Sequence, residues 1–163
     1  MIDVRLQMDG GAIQDVYKTY GFIYQSADHR LAPPTRGFEK TMYAEQAGEN
    51  IDPRTVDDAF DYTVRFVVVA ENKSLVNANA KIAAFNRLMY DYEKSVSGLD
   101  TDVKRFKVFT FYNDYKRVKI VGYPEPIAEA QEFWRDKFGN VHDAVQVELK
   151  IHVAEPNKCD FNI

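Results

Sequence analysis

The stretch from Tyr62 to Val121 constrains the fold most, because it reads as three elements in succession: a strand, a long helix and a hairpin. Between Asp61 and Ala70, the residues Tyr62, Val64, Phe66 and Val68 recur with the two-residue period of a strand, and Thr63 and Arg65 face the other way. Val67 and Val69 are apolar as well, so a central strand is expected that begins half-exposed and ends buried on both faces. Ser74 then offers an N-cap. Leu75, Asn79, Ile82, Phe85, Met89 and Tyr92 follow at three- and four-residue steps, with Ala78, Ala83 and Ala84 beside them. This pattern predicts one amphipathic helix with a single buried stripe, ending near Ser95 ahead of Gly98. A helix of that kind has to lie on a sheet, which the rest of the chain must supply.

The rest of the chain is rich in strand signals. Ile2, Val4, Leu6 and Met8 alternate with Asp3, Arg5 and Gln7 until Gly10-Gly11 stops the strand. Ile13 to Tyr17 suits a helical turn or a strand, and Tyr20 to Tyr24 reads as a strand. Pro33-Pro34 marks a loop from Ser26 to Arg36. Phe38 to Glu45 is a weaker strand, followed by a polar, acidic loop from Gly48 to Asp61. After the helix, Val103 to Val121 is expected to form a hairpin. A three-residue loop at Asn113 to Tyr115 would set Val108 opposite Ile120 and Thr110 opposite Val118 on the core face. Lys119 would then stack on Phe109, and Arg117 on Phe111. Ile127 to Asn140 fits a short helix or an extended arm, with a turn at Gly139-Asn140. Ala144 to Val153 is the clearest strand, with Val145, Val147, Leu149, Ile151 and Val153 on one face; Pro156 ends it, and a polar tail follows. The fold class is therefore α+β and mostly β: a β-sandwich or split barrel with one long amphipathic helix packed on the sheet. Phe66, Phe85 and Ile151 are expected to meet in its core.

At 163 residues the chain reads as one domain, 1–163, large enough for a substantial core. No apolar run approaches the roughly 18 residues of a membrane span, so no membrane partner is expected. Asp3 and Arg5 interrupt the N-terminus as a secretory signal would not. Cys159 is the only cysteine, which excludes an intrachain disulfide and points to a reducing compartment. The net charge of −4 argues against a general nucleic-acid binder.

Residues for catalysis do not assemble. His29, His142 and His152 carry no ligand spacing, and His152 falls on the polar face of its strand. Cys159 has no neighbouring base and reads as an unreactive thiol. Ser74 lacks a nucleophile-elbow context, and Gly10-Gly11 lacks the spacing of a phosphate loop. Asp52, Asp57 and Asp58 lack the spacing of a calcium loop. No enzyme activity, metal or cofactor is expected.

Charge segregation is the feature above background. Lys104, Arg105, Lys107, Lys116, Arg117 and Lys119 stand against Asp114 alone, with Phe109, Phe111, Tyr112 and Tyr115 interleaved. Glu45 to Asp61 holds Glu45, Glu49, Asp52, Asp57, Asp58 and Asp61 against Arg54 alone. Three readings stay open. The hairpin is a solvated face whose charges discourage edge pairing, a docking surface for the acidic stretch of a neighbouring copy, or a platform for single-stranded nucleic acid. On the docking reading, Lys104, Arg105, Lys107, Lys116, Arg117 and Lys119 on one side and Asp52, Asp57 and Asp58 on the other are the candidate subunit-interface residues.

The order of elements also carries a resemblance. It runs strand, amphipathic helix, basic-aromatic hairpin ending Val118-Lys-Ile-Val-Gly-Tyr-Pro124, long last strand, then Val153-Ala-Glu-Pro-Asn-Lys-Cys-Asp-Phe161. Together with Tyr20-Gly-Phe-Ile-Tyr24, Leu31 to Lys40 and Gly48 to Asp52, it resembles tail proteins of long-tailed bacteriophages. The type is distal-tail or tail-tube, as in phages and prophages of gut Bacteroidales. The resemblance implies a non-enzymatic structural component that forms a hexameric ring around the tail channel and contacts other tail proteins. DNA would be only passing cargo. It implies a place in the virion tail, reached through the bacterial cytoplasm during assembly. The alternative is a small β-rich module binding single-stranded nucleic acid or another polyanion through the hairpin. A ligand-binding barrel enzyme comes third.

Overall fold

The structure is a computed structural model that describes residues 4–36, 39–41, 50–52, 56–70, 74–93, 103–133 and 144–163. Its elements in order are β1 (Val4–Met8), β2 (Gln14–Asp15), α1 (Val16–Tyr20), β3 (Phe22–Ala27), β4 (Thr35–Arg36), β5 (Glu39–Thr41), β6 (Asn50–Asp52), β7 (Val56–Asp57) and β8 (Phe60–Val69). They continue with α2 (Val76–Leu88), β9 (Tyr90–Glu93), β10 (Val103–Phe106), β11 (Phe109–Asn113), β12 (Val118–Pro124), β13 (Ala130–Phe133) and β14 (Ala144–Val153), then a 3-10 turn at Pro156–Lys158. The fold is α+β and mostly β, as its alternating patterns predict, with the main helix packed on an antiparallel sheet.

The strands of the main sheet run β2-β1-β11-β12-β14-β8-β3, with β13 also pairing β14. The sheet turns a corner within β12. Residues 118–122 pair with β11, whereas Tyr123 and Pro124 pair with His152 and Ile151 of β14. Gly122 stands at that corner because a Cβ there would lie 2.4 Å from the His152 carbonyl oxygen. Beyond the corner the two halves face each other across a shared core. The ring of Phe111 in β11 lies 6.3 Å from that of Tyr62 and 6.5 Å from that of Phe66, both on β8. Asn113 at the end of β11 donates from Nδ2 to the Tyr24 hydroxyl on β3, 3.2 Å away. These contacts close the sheet into a sandwich-like body.

Helix α2 sits where the two halves part. Phe85 projects from it onto Phe22 (4.8 Å between centroids), Tyr20 (5.1 Å) and Phe109 (6.2 Å). Ala78 and Phe85 are its buried residues, Met89 at its C-cap is buried as well, Leu75 and Ile82 pack partly on the core, and Asn79 is exposed. The N-cap is Leu75, one residue after the expected Ser74, and it makes no side-chain cap bond; Ser74 Oγ accepts from Val76 N at 3.3 Å just ahead of the helix. The helix ends at Leu88, earlier than the expected Ser95, because Tyr90–Glu93 pairs with Val103–Phe106 as a separate ladder. Ser95 and Gly98 lie outside the described residues.

Four further expectations give way to tertiary context. On β8 the alternate residues from Phe60 to Val68 are buried, but Val69 is 44% exposed, so the strand does not end buried on both faces. Phe66 lies opposite Val147, whereas Ile151 lies opposite Tyr62 four residues along. Phe66 and Ile151 are thus both core residues but roughly 13 Å apart along the strand, at ~3.3 Å per residue. Glu39–Thr41 pairs with Asn50–Asp52, and Thr35–Arg36 with Val56–Asp57, so part of the expected acidic loop is antiparallel ladder. The tail after Pro156 is tied down: Lys119 N donates to Asp160 O at 2.7 Å, Asp160 N to Lys119 O at 2.9 Å, and Ile163 N to Arg117 O at 3.1 Å. Of the open stretch Ile127 to Asn140, Ala130–Phe133 is extended and paired with β14; Gly139 and Asn140 lie outside the described residues.

Candidate subunit interface

The β11–β12 hairpin has a different register from the one packing arithmetic favoured. Phe109 lies opposite Gly122, Thr110 opposite Val121, Phe111 opposite Ile120, Tyr112 opposite Lys119 and Asn113 opposite Val118. The loop has four residues, Asp114 to Arg117. A shift of three positions turns every side chain over. Phe109 and Phe111 therefore face the core with no exposed surface, and neither stacks with a cation. Two buried phenyl rings outweigh the valine and threonine methyls that the other register would bury. Asn113 fixes the turn: it is fully buried, and its Oδ1 accepts from Lys116 N at 3.0 Å. Arg117 adopts a left-handed backbone, φ 59°.

The six cations divide. Lys104 and Arg105 belong to β10, and Lys107 follows it, its N–H bonded to Met89 O at 2.8 Å. Lys116 and Arg117 lie beyond the far end of β11, in the loop, and Lys119 sits on the outer face opposite Tyr112. The five residues of β11 hold the two groups roughly 15–20 Å apart, at ~3.4 Å per residue. At the loop, Arg5 of β1 pairs with Asp114 (2.9 Å) and lies 5.2 Å over the Tyr112 ring. With its one acid so engaged, the tip presents Lys116, Arg117 and Tyr115, the last 67% exposed with the Lys116 ammonium 5.7 Å from its ring centre. On the acidic side, Asp52 lies in β6 and Asp57 in β7, and Asp58 Oδ1 is 3.7 Å from Arg36 Nε.

Sequence reading missed a groove of about 450 Å³ between the segment 125–129 and the outer face of β14. That segment is clamped at two points. Glu125 N donates to Lys150 O at 2.8 Å. Asn86 of α2 exchanges two 2.9 Å hydrogen bonds with the backbone of Ile127, which is buried. Fixing Ile127 inward leaves Pro126 and Ala128 on the groove wall, with Glu125, Glu129 and Glu148 as its acids and Lys150 its one cation. The only early sign was the spacing of Pro124, Pro126 and the following glutamates; the hydrogen bonds from Asn86 span 41 residues and leave no local pattern.

His152 Nδ1 lies 2.8 Å from Asp61, at the surface, and His29 is exposed; His142 lies outside the described residues. Burial raises the Cys159 thiol above its ordinary value, partly offset by the Val121 N–H and by Lys119. It stays protonated near neutral pH and is a poor nucleophile. Among the described residues no group of three His, Cys, Asp or Glu is placed to hold a metal, and no helix is long and apolar enough to cross a membrane. No protein-family model matches the chain, and no curated protein matches it.

Proposed function

We propose that this chain is a non-enzymatic structural subunit of a phage-tail-like assembly, associating head to tail with copies of itself into a ring around the tail channel, six by resemblance. One observation carries the reading: the main sheet ends in two unlike edges. At one end is β3, whose outer side pairs with no other strand among the described residues; at the other is β1, covered by β2 at Arg5 and Leu6 only. Unlike, complementary surfaces on one subunit are what a cyclic assembly needs. The family resemblance supports the same reading. The nucleic-acid alternative loses Phe109 and Phe111 as stacking groups, since both lie in the core.

The test is mass in solution, measured by light scattering at high protein concentration because assembly follows mass action. A concentration-dependent rise to a defined multiple of 18.8 kDa is expected. A strictly monomeric chain that binds a single-stranded oligonucleotide at moderate salt would overturn the structural reading in favour of the alternative.

A further inference from the structure

We infer that the tip of the β11–β12 hairpin docks into the groove beside β13 of a second copy of this chain. The inference rests on the self-assembly proposed above and names its contact. Charge selects the occupant. Lys116 and Arg117 form no ion pair among the described residues, and neither do Glu125 and Glu129. Each surface therefore carries charge that its own subunit leaves uncompensated. Tyr115 adds an exposed ring, and Pro126, Ala128 and Ala130 give the groove an apolar wall against which a ring can pack.

Geometry decides that the partner is another molecule. The tip precedes β12 and the groove begins where β12 ends, so one strand separates them. Val118 to Pro124 spans roughly 20 Å at ~3.4 Å per residue, and a hairpin cannot fold back on the strand that forms it. A donor at one end and an acceptor at the other make a contact that repeats from copy to copy. Both partners are preformed: Asn113 holds the turn, and Asn86 and Lys150 hold segment 125–129. Little ordering entropy is then lost on docking.

The experiment compares four samples of full-length protein by sedimentation velocity: wild type, Lys116→Glu with Arg117→Glu, Glu125→Lys with Glu129→Lys, and a mixture of the two reversed proteins. Of the four changed positions Arg117, Glu125 and Glu129 are exposed and Lys116 is half-buried, and thermal melts verify that each chain is folded. Either reversal alone is expected to weaken self-association at least about tenfold. The mixture is expected to regain assembly, because between unlike chains a reversed tip meets a reversed groove and an unchanged tip meets an unchanged groove; a mixture that assembles no better than each protein alone would overturn the contact. A fifth sample, one chain carrying all four changes, is expected to return to within about threefold of wild type. If wild type assembles and the reversals leave association unchanged, the tip and groove are overturned while the ring stands. If wild type remains monomeric throughout, both are overturned.

Discussion

Phe85 is the residue on which the helix depends, because its ring meets β3, α1 and β11 at once. Phe85→Ala is expected to cost about 3–5 kcal/mol, read from the denaturant midpoint. A loss below about 1 kcal/mol would place the packing elsewhere. Tyr62 behaves differently. Its ring is fully buried, and its hydroxyl has no hydrogen-bond partner among the described residues. Tyr62→Phe is expected to leave stability at neutral pH unchanged or raised by about 1 kcal/mol. Burial, with Tyr24 and Asp28 nearby, holds the Tyr62 phenol well above its ordinary value. From about pH 10 upward the unfolded phenol loses its proton while the folded one keeps it, so the folded state binds more protons and wild-type stability falls as pH rises. The Phe variant lacks this loss, so the difference between the two urea midpoints should widen between about pH 8 and pH 11.

At the scale of elements, legibility followed periodicity. β14 and β8 were readable because one face of each alternates without interruption, and the structure buries those faces. The hairpin was not, because Val108 and Thr110 on one face compete with Phe109 and Phe111 on the other, and only contacts to Tyr62, Phe66 and Phe85 decide. Its four-residue turn depends on a buried asparagine whose partners are Tyr24 and Lys116. The helix end was misread because the apolar stripe runs on to Tyr92, although the backbone there is already extended. The turn also offers a way to separate folding from assembly. Arg117 has φ 59°, a conformation that costs an L-residue about 1–2 kcal/mol and glycine almost nothing. Arg117→Gly is expected to raise subunit stability by up to about 1 kcal/mol, after glycine's own entropy loss, while weakening self-association. Parallel denaturation and sedimentation measurements check both signs.

For the whole molecule, fold class was legible and the binding surface only partly so. Net charge located a basic hairpin, but β11 splits its cations into two groups, and the groove depends on hydrogen bonds between distant segments. Salt separates the forces in the proposed assembly: in about 1 M salt the screening length shrinks to roughly 3 Å, so contacts led by charge should weaken while buried apolar contacts persist. The strand order has another consequence. β1 pairs with β11, Val4 lying opposite Asn113, and β8 pairs with β14, Phe60 lying opposite Val153. The ladders β1–β11, β3–β8 and β8–β14 all join segments distant in sequence, which places the chain among slow, millisecond-to-second folders. A ribosome that has released β1, β3 and β8 has exposed their apolar faces without the strand that bridges them. Until β14 emerges, the nascent chain has no completed body, and in that interval it is most open to chaperones and to pairing with the wrong strand.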